Sequence, residues 1–101
     1  MAYVRVSYMT PKPGQERRLE ELLEKLSDYY VAESGYVLGY RLQPYEGDPH
    51  RRMGRIGVWA SEEDAVRAAQ TEHGMALRAN LMQVIEEDTH EELSFLGERD
   101  A

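Results

Sequence analysis

Cysteine is absent from the 101 residues, which excludes disulfides, thiolate metal ligands and a cysteine nucleophile together. Phosphate-cradling loops are missing too: there is no Gly-x-Gly-x-x-Gly and no Walker sequence. Gly-x-Ser-x-Gly, the mark of a nucleophile elbow, does not occur either. The three histidines, His50, His73 and His90, never pair at His-x-x-x-His spacing, so no resident metal is expected. Positive charge is in short supply, with 12 Lys and Arg against 19 Asp and Glu and a formal net charge of −7. Such a surface repels phosphates, which speaks against nucleic acid and against anionic membranes as partners. No apolar run approaches the ~20 residues of a membrane span. The stretch Met1-Ala2-Tyr3-Val4-Arg5-Val6 lacks the basic-then-apolar layout of a signal peptide, so a cytoplasmic location is expected.

What remains is an ordinary globular composition, 42% hydrophobic and 31% charged, of one domain's length. A single domain over residues 1–101 is expected. A domain this small buries a modest share of its surface, which favours association with a second copy.

Two periodicities organise the chain. Residues 2–10 alternate, with Ala2, Val4, Val6 and Tyr8 on one face and Tyr3, Arg5, Ser7 and Met9 on the other, which predicts a strand. Residues 15–33 place Leu19, Leu22, Leu23, Leu26 and Tyr30 on one stripe of a helix, and Gly35 is placed to end it. Strands are predicted over 36–43 and 51–60, joined by the Pro- and Gly-bearing loop 44–49. Ser61-Glu62-Glu63-Asp64 reads as a capping box opening a short alanine-rich helix. A second helical stretch runs over 71–86 with a break near Gly74, and a last strand over 88–96.

This order is β-α-β-β-α-β, an α+β ferredoxin-like arrangement of one antiparallel sheet with the helices on one face. The other face would carry Tyr3, Met9, Val37, Met53 and Trp59. Left in water it would form a large apolar patch, so a second subunit packed sheet to sheet is expected to cover it.

Several side chains stand out against this frame. Arg78 falls in the middle of the arc formed by Met75, Leu77, Ala79, Leu81, Met82, Val84 and Ile85 on a helical wheel. A cation there must meet an anion in a pocket, pair with a carboxylate or snorkel at the helix edge. Trp59, just before the capping box, is either a pocket wall or a core residue. Arg5, Arg41 and Arg55 sit on three strands and could line a cavity or pair with acids. His73, at the turn into the last helix, could serve as a base or simply lie at the surface.

Four segments carry a family resemblance. Lys12-Pro13-Gly14-Gln15-Glu16 enters an amphipathic helix, and Gly35-Tyr36-Val37-Leu38-Gly39-Tyr40-Arg41-Leu42 follows as a strand. Then come Gly57-Val58-Trp59-Ala60-Ser61-Glu62-Glu63-Asp64 and the step Thr71-Glu72-His73 into the last helix. In this order and spacing, the chain from about Tyr3 to Phe95 resembles the antibiotic biosynthesis monooxygenase family of the dimeric α+β barrel superfamily.

The resemblance implies a homodimer whose two sheets close a barrel, with a pocket between each sheet and its helices. It implies a cofactor-independent monooxygenase that oxidises a quinol, anthrone or similar small aromatic with O2, needing neither metal nor flavin. In that reading Arg78 is the anion stabiliser and Trp59 the pocket wall, with His73 and Ser7 as further catalytic candidates. Arg5, Met82 and Tyr40 complete the candidate substrate-binding set. A heme-degrading branch of the family uses an asparagine on the first strand and an axial histidine on the last helix. The matching positions here are Ser7 and Arg78, and arginine is no ordinary heme ligand, which speaks against heme breakdown. A non-catalytic small-molecule-binding or stress-response dimer is the alternative from a different functional class.

Overall fold

A computed structural model describes residues 1–100. The elements run β1 (Ala2–Met9), α1 (Glu16–Val31), β2 (Tyr36–Leu42), β3 (Met53–Trp59), α2 (Glu62–Ala69), α3 (Glu72–Gln83) and β4 (Glu91–Gly97). The four strands form one antiparallel sheet in the order β2-β3-β1-β4. The first and last strands are thus neighbours, and the sheet has the ferredoxin-like topology expected from the strand order. Among the described residues no helix is long and apolar enough to cross a membrane.

Local chemistry accounts for the boundaries. Gly35, at φ +86°, supplies the left-handed residue that lets the chain turn from α1 into β2. Ser61 caps α2 by accepting the Asp64 backbone N–H at 3.2 Å. Thr71 caps α3 in the same way, accepting the Gly74 N–H at 2.9 Å. The discontinuity expected at Gly74 therefore lies just before Glu72, between α2 and α3, and Gly74 belongs to the first turn of α3. That helix stops at Gln83, where the following backbone pairs with the segment just after β1: Lys12 N–H donates to Val84 O at 2.9 Å and Glu86 N–H to Thr10 O at 2.8 Å.

The core lies between the sheet and α1. Leu19, Leu22, Leu23, Leu26 and Tyr30 are buried, as the helical stripe requires. They meet Tyr3, Met9, Met53 and Trp59. Here the expected assignment of faces is reversed. The set Tyr3, Met9, Met53 and Trp59 does share a face, but it is the helix-covered one. Alternation says which residues lie together and not which side the helices take. Val37 leaves the set altogether, because a bulge between Tyr36 and Leu38 shifts the register of β2. Tyr36 packs edge-on against Trp59 instead, with ring centroids 5.4 Å apart.

The uncovered face is nonetheless apolar. Cross-strand register places Val4, Val6, Ile56, Val58, Leu38 and Tyr40 on it together with Leu93 and Phe95. Leu38 is 46% exposed, Leu93 40% and Phe95 53%.

β1 and β3 approach closely at Gly54, where an added β-carbon would fall 1.9 Å from the Ser7 carbonyl oxygen and 2.7 Å from Tyr8 Cα. Backbone cannot move aside as a side chain can. Gly54→Ala is expected to destabilise the fold by roughly 1–3 kcal/mol, the range for overpacked sites. Urea unfolding measures this, and an unchanged midpoint would show that the two strands separate at no cost.

Candidate active site

The helix-covered face of the sheet is apolar at its ends and polar in its middle. Along β1, Tyr3 and Met9 flank Arg5 and Ser7; along β3, Met53 and Trp59 flank Arg55 and Gly57. On β4 the residues opposite Arg5 and Ser7 are Ser94 and Glu92. Leucine cannot pack densely over such a centre, and a cavity of about 240 Å³ opens there between sheet, α1 and α3. That lies just under the roughly 300 Å³ lower end of typical small-molecule sites and suits a small aromatic.

Trp59 and Tyr30 form its aromatic wall, with rings 5.4 Å apart and nearly perpendicular. Leu23, Leu26 and Leu81, with Met9, Ala65 and Ala79, supply the rest of the apolar lining, and Met82 stands at the exposed side. The polar lining is joined by hydrogen bonds. Ser7 Oγ and His90 Nε2 are 3.1 Å apart. Arg78 reaches from α3 to β4, its Nη2 donating to Glu92 Oε2 at 3.1 Å and its Nη1 to Oε1 at 3.5 Å. Arg5 Nε lies 3.4 Å from the same carboxylate and donates to the Tyr3 hydroxyl, which is 2.6 Å from Ser94 Oγ.

Charge follows from these contacts. Burial raises the Glu92 carboxyl, but the hydrogen bonds and charge of Arg78, with Arg5 and His90 behind it, outweigh burial and hold it below the usual carboxylate range. Burial also lowers the Arg78 guanidinium, and Glu92 reverses that, leaving it above its ordinary value.

Arg55 has no such partner. It is only 6% exposed, and no carboxylate among the described residues forms an ion pair with it. Its Nε donates to Ser27 Oγ at 3.2 Å, and its guanidinium carbon lies 4.9 Å from the Tyr30 ring centroid. Nη2 is buried on the β2 side, by Gly39 and the Tyr36 hydroxyl, and meets no partner with full hydrogen-bond geometry. Burial pushes its pKa down, against the phenols of Tyr36 and Tyr30, but an arginine stays a cation. Gly39 and Gly57, opposite each other on β2 and β3, clear its place on the sheet. A β-carbon at Gly39 would come 3.2 Å from Arg55 Nη2, and one at Gly57 3.3 Å from Nη1.

Of the residues singled out from sequence, Arg5, Ser7, Arg55, Trp59, Arg78 and Met82 all line this cavity. Three do not. His73 lies exposed in the first turn of α3, its ring edge-on to Tyr29 with centroids 4.9 Å apart. Tyr40 points to the uncovered sheet face beside Ile56 and is 65% exposed. The predicted arc around Arg78 is only partly buried: Leu77, Leu81 and Ile85 are buried, Ile85 beyond the end of α3, while Met75, Ala79 and Met82 are exposed. Of the three strand arginines, Arg41 leaves the cavity for Glu24 on α1, at 3.7 Å. His90 and Glu92 were not foreseen. The one signal available was register: with the last strand paired beside the first, its polar residues fall opposite Arg5 and Ser7.

No family model matches the chain, and no curated protein matches it in sequence. Solved structures do match. SnoaB, a cofactor-independent oxygenase from Streptomyces nogalater, superposes with a TM-score of 0.81 at 18% identity, covering 98% of this chain and 95% of SnoaB. A protein from Nitrosomonas europaea, described as a candidate antibiotic biosynthesis monooxygenase, gives 0.82 at 18% identity over 95% of this chain and 89% of its own. Rv0793 from Mycobacterium tuberculosis gives 0.82 at 15% identity over 100% and 99%. By fold, the chain stands with antibiotic biosynthesis monooxygenase-type proteins, among them a cofactor-independent oxygenase, as its sequence resemblance implies.

Proposed function

We propose that the protein is a cofactor-independent monooxygenase that oxidises a small electron-rich aromatic, such as a naphthoquinol or an anthrone, with dioxygen. The observation that carries this reading is the cavity itself, an aromatic-walled site of small-molecule size holding a hydroxyl–imidazole pair and surplus positive charge. The fold shared with SnoaB supports it.

The chemistry requires a substrate that can reduce dioxygen once deprotonated. For an anthrone, the ring CH2 loses a proton to a base, and the resulting enolate delivers electrons to O2 and forms a carbon-bound peroxide. Loss of the second C–H proton with cleavage of the O–O bond leaves a carbonyl and one water, so that CH2 and O2 become C=O and H2O. His90 is the base in this scheme, positioned by Ser7. Trp59 and Tyr30 hold the ring system, and the apolar lining keeps water from the enolate. The Arg78–Glu92 pair ties α3 to β4 across the site and keeps the helix over the cavity.

The functional unit is a homodimer. The uncovered sheet face, from Leu38 on β2 to Phe95 on β4, is too apolar for a monomer to leave in water, and a second copy packed against it through a two-fold axis would bury it.

Three outcomes are expected. Oxygen uptake by the metal-stripped protein with naphthoquinols and anthrones should exceed autoxidation and fall roughly 100-fold or more in His90→Gln, the usual scale for a lost general base. His73→Ala should leave it unchanged. Uptake no greater than background across the panel, or full activity in His90→Gln, would refute this assignment. For Glu92, the folded carboxyl lies below its unfolded value of about 4.3, so its stabilisation is complete above that pH and is lost as pH falls through the folded value. Glu92→Gln should therefore flatten the acid limb of a stability-versus-pH profile followed by thermal melts; an identical acid limb in both proteins would mean the ion pair contributes nothing. Finally, Val6→Asp with Ile56→Asp on the uncovered face should convert a dimer into a monomer in sedimentation analysis, and an unaltered mass would place the interface elsewhere.

A further inference from the structure

Ser7 has no structural task of the kind the other hydrogen-bonded serines perform. Ser61 caps α2, Ser27 receives the Arg55 Nε–H, and Ser94 meets the Tyr3 hydroxyl. Among the described residues Ser7 Oγ has one hydrogen-bond partner, His90 Nε2 at 3.1 Å, and both side chains line the cavity. Tyr8 lies opposite Glu91, the residue after His90, so the pairing of β4 with β1 brings the two together. No local sequence pattern marks them, because they come from opposite ends of the chain. A hydroxyl within hydrogen-bond reach of an imidazole, open to a ligand-sized cavity, is the arrangement of a nucleophile and its base. The surroundings suit that chemistry. Glu92, opposite Ser7 on β4, is close enough to His90 for the imidazole's charge to lower its carboxyl, so an imidazolium would be stabilised there. Arg5, two residues from Ser7 on the same face of β1, and Arg78 on α3 bring two positive charges to the one of Glu92. That surplus favours an oxyanion formed beside Ser7.

We propose that the cavity also hydrolyses small aryl esters, with Ser7 as the nucleophile and His90 as its general base. The aromatic ring lies against Trp59 and Tyr30, and the ester carbonyl lies at Ser7. His90 accepts the Ser7 hydroxyl proton at Nε2, its own ring proton being on Nδ1. Ser7 Oγ bonds to the carbonyl carbon, and the carbonyl electron pair moves onto its oxygen. Collapse of that oxyanion breaks the bond to the aryloxide, which leaves with the proton from His90. Water, deprotonated by His90, then attacks the acyl-serine and releases the acid, restoring the Ser7 hydroxyl. Water is the only co-reactant. The inference shares the cavity and the base of the proposed oxygenase but needs neither its substrate nor dioxygen.

Two probes test it: 4-nitrophenyl acetate for turnover, and phenylmethanesulfonyl fluoride, whose serine adduct does not turn over, for labelling. Release of 4-nitrophenolate should exceed hydrolysis in buffer, and peptide mapping should find the sulfonyl group on Ser7. Release no faster than in buffer, or label confined to Lys12, Lys25, the tyrosines or the amino terminus, overturns the proposal, and neither result needs a variant to fold. Ser7→Ala should lose both label and turnover, and His90→Gln should slow both roughly 100-fold or more. Ser7→Cys places the only thiol of a cysteine-free chain beside His90. Iodoacetamide should alkylate it roughly tenfold or more faster than in Ser7→Cys combined with His90→Gln, because a neighbouring imidazole raises the thiolate fraction; equal rates overturn the assignment of His90 as base. Ester hydrolysis without oxygen uptake would refute the oxygenase and leave this inference standing; oxygen uptake with Ser7 unlabelled would do the reverse.

Discussion

The covered face of the sheet has to bury a polar centre, and most of the molecule is arranged around that constraint. Tyr3, Met9, Met53 and Trp59 form an apolar rim that α1 can seal with its leucine stripe. Inside the rim, Arg5, Ser7 and Arg55 cannot be sealed in that way, because desolvated cations and hydroxyls need partners. The fold meets this need from two directions. β4 brings Glu92 and Ser94 alongside β1, and α3 swings Arg78 over the top to meet Glu92. What cannot be filled remains as the cavity. The site is therefore the part of the core that packing could not complete.

The same strand that completes the site also shapes the outer surface. β4 turns Glu92 and Ser94 inward and Leu93 and Phe95 outward, the inverse of the usual pattern for an edge strand of a monomer. Polar residues face the helices because the cavity is there, and apolar residues face away because the outer sheet surface is apolar on β1, β2 and β3 as well. A sheet with two apolar faces, one covered by helices and one open, makes sense as half of a larger assembly. Cavity and outer face are thus opposite sides of a few shared strands, and dimer formation would fix the strands that carry the site.

Much of this was legible in the amino-acid sequence. The period of two in β1 and β3 and the leucine stripe of α1 located those elements to within a few residues, because the periodicity of a half-buried element is a local property. The caps at Ser61 and Thr71 act through hydrogen bonds three residues long and were equally open to reading, although Gly74 drew attention away from the second. Arg78 and Trp59 were recognisable because a cation among aliphatics, or a lone tryptophan, is conspicuous, whereas Ser7, Arg5 and Met82 took their site roles from the family resemblance. His90 and Glu92 were hidden for the opposite reason. They lie in a run of charges, Glu91 and Glu92 beside Thr89, that looks like a solvated segment until β4 is paired with β1. His73 and Tyr40 were attractive by residue type alone, and residue type carries no direction.

By itself, the sequence determined which residues share a face, where most of the strands and helices start, that charge is negative overall and that no nucleotide loop is present. These follow from spacing and composition, which are written along the chain. Only the tertiary structure decided which face of the sheet the helices cover. That choice depends on the sum of long-range contacts between α1 and both sides of the sheet, and both sides are apolar. With it came the bulge that puts Tyr36 rather than Val37 on Trp59, the capture of Arg78 by Glu92 and the pairing of Ser7 with His90. That no carboxylate meets Arg55 was decided there too, because whether a cation is paired depends on every chain segment that could reach it.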